Sequence, residues 1–133
     1  MLITIEKVLL LKQMDLFKTV SNMALADLMA VSEEQTLKPG TVLIHEDQAN
    51  TFLYFLLSGA VLYRKGKNQQ EVLAKSVVGL ESVFWSESAG AHVEVTQKAV
   101  ALVVPQDRLY RVMALHPSLA FAVLNELSGF AHQ

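Results

Sequence analysis

The sequence predicts an α+β domain: an antiparallel β-roll, or jelly roll, of about eight short strands, with N-terminal helices before it and two C-terminal helices after it. Three observations carry this. Apolar residues keep helical spacing to about position 33, alternation and turn dipeptides take over from Gln35, and helical spacing returns after Pro105. The chain reads as one domain, residues 1–133, with N-terminal helices over 3–33, the roll over 34–104 and C-terminal helices over 105–131. A length of 133 residues suffices for one real core.

From Ile3 to Lys12 the spacing predicts a helix with Ile5, Val8 and Leu9 on one face. Leu10 and Leu11 widen its apolar surface, so it is either covered on two sides or docked on something outside the domain. A second helix is expected from Met23 to Glu33, capped by Ser21 or Asn22 and buried through Leu25, Leu28 and Met29. "LKPGTVLIHE" reads as strand, turn, strand: Pro39 presets the first turn position, and Gly40 takes the positive φ of a type II turn. "FLYFLLSGAVLYR" gives two strands broken at Ser58-Gly59, "GKNQ" a turn, and "EVLAKSV" one further strand. "AHVEVTQKAVALVVP" gives two more, with a turn near Gln97-Lys98.

The first C-terminal helix is expected over Gln106 to Leu115, burying Leu109, Val112 and Met113. The second starts at His116-Pro117, where proline suits the first helical position. It is apolar on nearly every side, with Glu126 its only charge. Leu119, Phe121, Val123, Leu124, Leu127 and Phe130 form its candidate partner or dimer face.

Composition removes several function classes. A formal net charge of −2 gives no broad basic field, and no segment supplies a basic recognition helix, so no nucleic-acid partner is expected. With no cysteine, disulfides, thiolate metal sites and thiol catalysis are excluded. The apolar opening "MLITIEKVLLLKQM" is interrupted by Glu6, Lys7 and Lys12 and lacks the basic start of a signal peptide. A soluble, cytoplasmic protein without membrane insertion is the expectation.

In order and spacing, several of these residues resemble the cyclic-nucleotide-binding domain family, the sensor module of catabolite-activator-type regulators, kinase regulatory subunits and gated channels. Leu16-Phe17 stands where the family has "LF", and Pro39-Gly40 where it has its "PG" turn. In "IHEDQANTFLYFLLSGAV", Glu46, Leu53, Tyr54 and Gly59 match outright, and His116-Pro117 falls between the last helices. The opening "IEKVLLLK…LF" also resembles copies of the module fused inside larger proteins. The resemblance implies a non-catalytic regulatory domain in which an event at one loop moves the C-terminal helices.

The candidate ligand cassette comprises Val78, Gly79, Leu80, Glu81, Ser82, Ala89, Gly90, Ala91 and His92. The family pattern has a glutamate for the ribose hydroxyl and an arginine for the cyclic phosphate. Here Leu80 stands in the glutamate position, with Glu81 one residue along, and Ala89 or Gly90 stands in the arginine position. In the earlier turn Asp47 replaces the family's glycine and Gln48 its aspartate. No Lys or Arg occurs between Lys75 and Lys98, whereas Glu81, Glu87 and Glu94 do. A hydrogen bond to a charged group contributes about 1.5–3 kcal/mol, so loss of the arginine weakens phosphate binding about tenfold to a hundredfold.

Several individual roles follow as alternatives. Trp85 and Phe84 either stack on a purine or plug the emptied pocket. His92 is a substitute cation or half-buried surface. Glu81 is a ribose ligand only with a one-residue shift, and Glu46 is expected to accept backbone N–H bonds through its carboxylate. Three functions remain: weak cyclic AMP or cyclic GMP binding through backbone amides and Glu81; protein–protein contact, as a homodimer or with a fused effector, through the terminal helices; and a cupin-like metal enzyme using His45, Glu46 and His92. The last lacks the paired histidine such sites use. No catalytic residue, metal or obligatory cofactor is expected.

Overall fold

The computed structural model describes residues 2–84 and 87–131, with side chains described as far as Ser128. Helix α1 (Thr4–Lys12) leads through a 3-10 turn (Asp15–Phe17) to α2 (Asn22–Ala30). Ser21 caps α2, its hydroxyl accepting the Ala24 N–H at 3.1 Å. Leu25, Leu28 and Met29 are buried, as their spacing requires. In α1 the expected face is overturned: Ile5 and Leu9 are 63% and 61% exposed, and Leu11 is the buried residue. The helix docks on α2 and the 3-10 turn through Leu11, with Val8 and Met14 beside it, which turns the Ile5–Leu9 row outward.

The strands are β1 (Glu33–Leu37), β2 (Val42–Ile44), β3 (Phe52–Lys65), β4 (Asn68–Leu73), β5 (Ser76–Val78) and β6 (His92–Pro105). All pairings are antiparallel, in the order β1-β6-β3-β4, with β2 also on β6 and β5 also on β3. The six described strands replace the eight expected, because two expected breaks are bends within long strands. At Ser58-Gly59 the ladder to β6 shifts register instead of ending. Gly59 takes φ +84, and a Cβ there would lie 2.4 Å from the Lys98 carbonyl oxygen, so glycine permits the close crossing. The turn expected near Gln97-Lys98 is the partner side of that bulge, where pairing moves from Ala60↔Gln97 to Val61↔Val95. Conversely, "EVLAKSV" holds two strands, β4 and β5, parted at Lys75 with φ +66.

The Pro39-Gly40 turn forms as expected: Gly40 has φ +90, and the Thr41 N–H donates to the Lys38 carbonyl at 3.1 Å. After the one-turn helix α3 (Leu80–Val83) and β6 come α4 (Gln106–Leu115) and α5 (Pro117–Ala131). Leu109 and Val112 are buried and Met113 half-buried against the core. One apolar core lies between the helices and one face of the roll, where Phe17 meets Phe55 edge-on at 5.4 Å. A second fills the roll, around Leu56, Val61, Val93 and Val95. No helix among the described residues is long and apolar enough to cross a membrane.

Candidate functional site

The loop between β5 and β6 opens on Gly79, at φ +91 the left-handed residue from which α3 starts. The Val83 N–H donates back to the Gly79 carbonyl at 2.9 Å, which closes the single turn. Asn50, 5% exposed, fixes this corner from beneath. Its Nδ2 donates to the Gly79 carbonyl at 3.3 Å and to Ser82 Oγ at 3.0 Å, while its Oδ1 accepts the Phe52 N–H at 3.1 Å. A side chain deprived of water and bonded three times anchors more firmly than any exposed contact.

From the other side α4 holds the end of α3. Gln106 Nε2 and the Tyr110 hydroxyl both donate to the Val83 carbonyl, the latter at 3.3 Å, and Phe84 stacks on Tyr110 with ring centroids 5.5 Å apart. The far half of the loop is tied differently. Ala89 N–H donates to the Gln48 carbonyl at 2.8 Å and Gly90 N–H to the Glu46 carbonyl at 3.0 Å. The Glu46 main chain therefore does the work expected of its carboxylate, which instead lies 3.9 Å from Arg64.

Beside the opening half of the loop is a cavity of about 1110 Å³. Its apolar lining comes from Val61, Val72, Val77, Val78, Val93, Phe84 and Leu127, and its polar lining from Tyr63, Lys65, Asn68, Gln69, Gln70 and Glu81. Leu127 is supplied by α5, so the C-terminal helix forms part of the wall. The Tyr63 hydroxyl donates to Glu81 Oε1 at 3.3 Å. Burial, reinforced by the adjacent Glu81 charge and this hydrogen bond, raises the Tyr63 hydroxyl above its ordinary pKa, so it stays protonated.

Strand alternation decides which charges face this space. Val61, Tyr63 and Lys65 line it at spacing two, and Arg64 between them therefore points to the opposite face. Val93 lines it, so His92 and Glu94 on either side point away as well; they lie 3.6 Å apart. His92 as a substitute cation for the cavity is thereby corrected. Of the other cassette residues, Val78, Gly79 and Glu81 reach the cavity, whereas Leu80, Ser82 and Ala91 are buried. Ala89 is half-buried against the inner core, and Gly90 is exposed.

The metal reading gains no support from geometry. His45 and His92 stand with ring centroids 6.0 Å apart, and no group of three His, Asp or Glu among the described residues is close enough to hold an ion. Phe84 is accounted for by its stack, while Trp85 lies outside the described residues. On α5, Leu119 and Val123 are 1% and 2% exposed and pack inward, which removes them from the expected partner face. Leu127 is half-buried on the cavity, Phe121 and Leu124 point outward, and the Phe130 side chain lies outside the described ones. Sequence reasoning missed Asn50, Tyr63, Gln106 and Tyr110, because each acts through a partner 18 to 32 residues away.

Residues 34–116 match the model of the cyclic nucleotide-binding domain. The chain belongs to that family. No curated protein matches it. Among solved structures, this cyclic nucleotide-binding domain is similar to the sensor domain of the transcriptional regulator DNR from Pseudomonas aeruginosa, at TM-score 0.78 and 21% identity over 95% of this chain and 94% of that one. It is also similar to a cyclic nucleotide-binding domain from Methylobacillus flagellatus, at TM-score 0.76 and 22% identity over 97% and 76%. The Thermus thermophilus Catabolite Activator Protein matches at TM-score 0.77 and 13% identity, over 88% of this chain and 58% of that one. At these identities the likeness is one of fold.

Proposed function

We propose that this cyclic nucleotide-binding domain is a non-catalytic, cytoplasmic regulatory module whose response to cyclic nucleotides is weak or lost. The observation that carries the reading is the absence of a cation from the cassette side of the cavity: Glu81 faces it, while Arg64 and His92 lie on strand faces turned away. A cyclic phosphate there would lose its charge-assisted bond and meet a like charge. Sensor architecture is nevertheless kept. Leu127 of α5 walls the cavity, and the Val83 carbonyl and Phe84 connect the loop to α4. An occupant that prefers one position of these helices would shift them, and one without such a preference would not. The solved relatives named as sensor or transcriptional-regulator domains support a regulatory role fused to an effector.

The second reading is contact with a protein partner or a second copy through the terminal helices. It is supported by Phe121 and Leu124 on α5 and Ile5 and Leu9 on α1, all more than half exposed. The test is titration of the purified domain with cyclic AMP and cyclic GMP to millimolar concentration, followed by melting temperature and binding heat. Ligand at a hundred times its Kd stabilises a fold by about 2.7 kcal/mol. No saturable shift below millimolar concentration is expected; micromolar affinity would refute the weakened-response reading.

A further inference from the structure

The chemistry of the cavity wall selects a ligand class, and this inference rests on the reading that the phosphate site is lost. Glu81 is half-buried, and the Tyr63 hydroxyl is its described hydrogen-bond partner, at 3.3 Å on Oε1. No Lys, Arg or His within 4.0 Å neutralises it among the described residues. An ionised carboxylate offers about four acceptor sites, so most of its capacity is left for an occupant that donates. Around it the wall is apolar, with Val61, Val72, Phe84 and Leu127, and the remaining polar side chains are uncharged amides. Lys65 is the exception; it is exposed, near the β3–β4 turn, where pairing with an anion is screened and contributes little.

We infer that the cavity takes an uncharged ring compound with paired O–H or N–H donors, a molecule of nucleoside type, with Glu81 as its anchor. The apolar wall receives the ring, the carboxylate receives the donor pair, and the volume of about 1110 Å³ holds a molecule of that size. The Tyr63 bond keeps Glu81 on the cavity side of α3. A phosphate on the same scaffold brings a negative charge towards Glu81 and should bind about tenfold to a hundredfold more weakly.

The test is calorimetric titration of the full chain with adenosine and guanosine against cyclic AMP and cyclic GMP. The expected result is saturable nucleoside binding, at least tenfold tighter than the matching cyclic nucleotide. Glu81→Ala should weaken it tenfold or more, and Glu81→Gln, of the same shape, should narrow the gap between nucleoside and cyclic nucleotide by removing the repulsion. That narrowing is not produced by a purely structural role, and it decides the matter if Glu81→Ala does not fold. Nucleoside binding indifferent to both substitutions overturns the assignment to Glu81. Failure of all four probes to bind overturns this inference alone, since a lost nucleotide response would stand. Cyclic nucleotide binding tighter than nucleoside overturns both readings together.

Discussion

The loop between β5 and β6 has a left-handed glycine near each end, Gly79 at φ +91 and Gly90 at φ +71, yet the two ends are secured by different means. Around Gly79, Asn50 supplies three bonds, Leu80, Ser82 and Val83 are buried, and α4 donates twice to the Val83 carbonyl. Around Gly90 the described ties are main-chain bonds to Glu46 and Gln48, and the neighbouring Glu87 and Ser88 are exposed. The comparison separates shape from chemistry. The first end is held by packing and buried polar bonds, so its geometry is built into the core. The second sits where the family's phosphate-binding side chains belong, and neither Ala89 nor Gly90 carries a charge. A cassette can thus keep its course through the roll while losing the group that once justified it.

The same substitution at both glycines tests this contrast most strongly. At Gly79 a Cβ would lie 2.7 Å from Asn50 Nδ2 and 3.2 Å from the Phe52 carbonyl oxygen, in addition to the cost of a positive φ. Gly79→Ala should therefore displace Asn50 and destabilise the fold by about 3 kcal/mol, the sum of backbone strain and broken buried bonds. At Gly90 nothing lies within 4 Å of the added Cβ. Gly90→Ala should cost about 1 kcal/mol, from the left-handed backbone alone. Urea unfolding of both variants reads the difference, and equal losses would show that the two ends are held alike.

How much of this was legible in the sequence follows the range of each interaction. Ser21 capping α2, Pro39-Gly40 turning, and Pro117 opening α5 are local events, and each was read from neighbouring residues. The turn assumed at Gln97-Lys98 failed because polar residues in mid-strand look like a turn. Here they mark a bulge, set by the close crossing at Gly59 some forty residues earlier. The α1 stripe failed for a related reason: periodicity shows that a helix has an apolar face, while packing partners decide which apolar residues are covered. In the site, the missing arginine was visible in the sequence. The inward turn of Tyr63 and the outward turn of Arg64 and His92 were not, since they depend on strand register across the roll.

Restoring the absent cation sharpens the comparison by a smaller effect. Ala89 and Gly90 both occupy the expected arginine position, but Gly90 would strain any side chain placed there, whereas Ala89 does not have a positive φ. Ala89→Arg is therefore the better substitution. It should raise affinity for cyclic AMP about tenfold or more over the unmodified chain, as one charge-assisted bond contributes at least about 1.5 kcal/mol. Binding heat measures it, and no gain at Ala89 would count against the alignment of the second end with the phosphate position.

The smallest effect concerns the first end and appears only in alkali. Burial raises the Tyr63 hydroxyl above its ordinary 10.0, and the Glu81 charge and hydrogen bond add to this. Burial raises Tyr54 as well, whose hydroxyl donates to the Leu43 carbonyl at 3.1 Å. A raised folded-state pKa means that the folded chain holds these protons when the unfolded chain has released them. Their contribution to stability is thus complete below about pH 10 and declines as pH rises from there through the folded-state values. Tyr63→Phe removes one of the two groups, so its stability should fall less steeply above pH 10 than that of the unmodified chain. Unfolding midpoints compared at pH 8 and at alkaline pH measure the difference. An unchanged slope would mean that Tyr63 is not protected by the Glu81 wall, and would loosen the tie that holds that carboxylate towards the cavity.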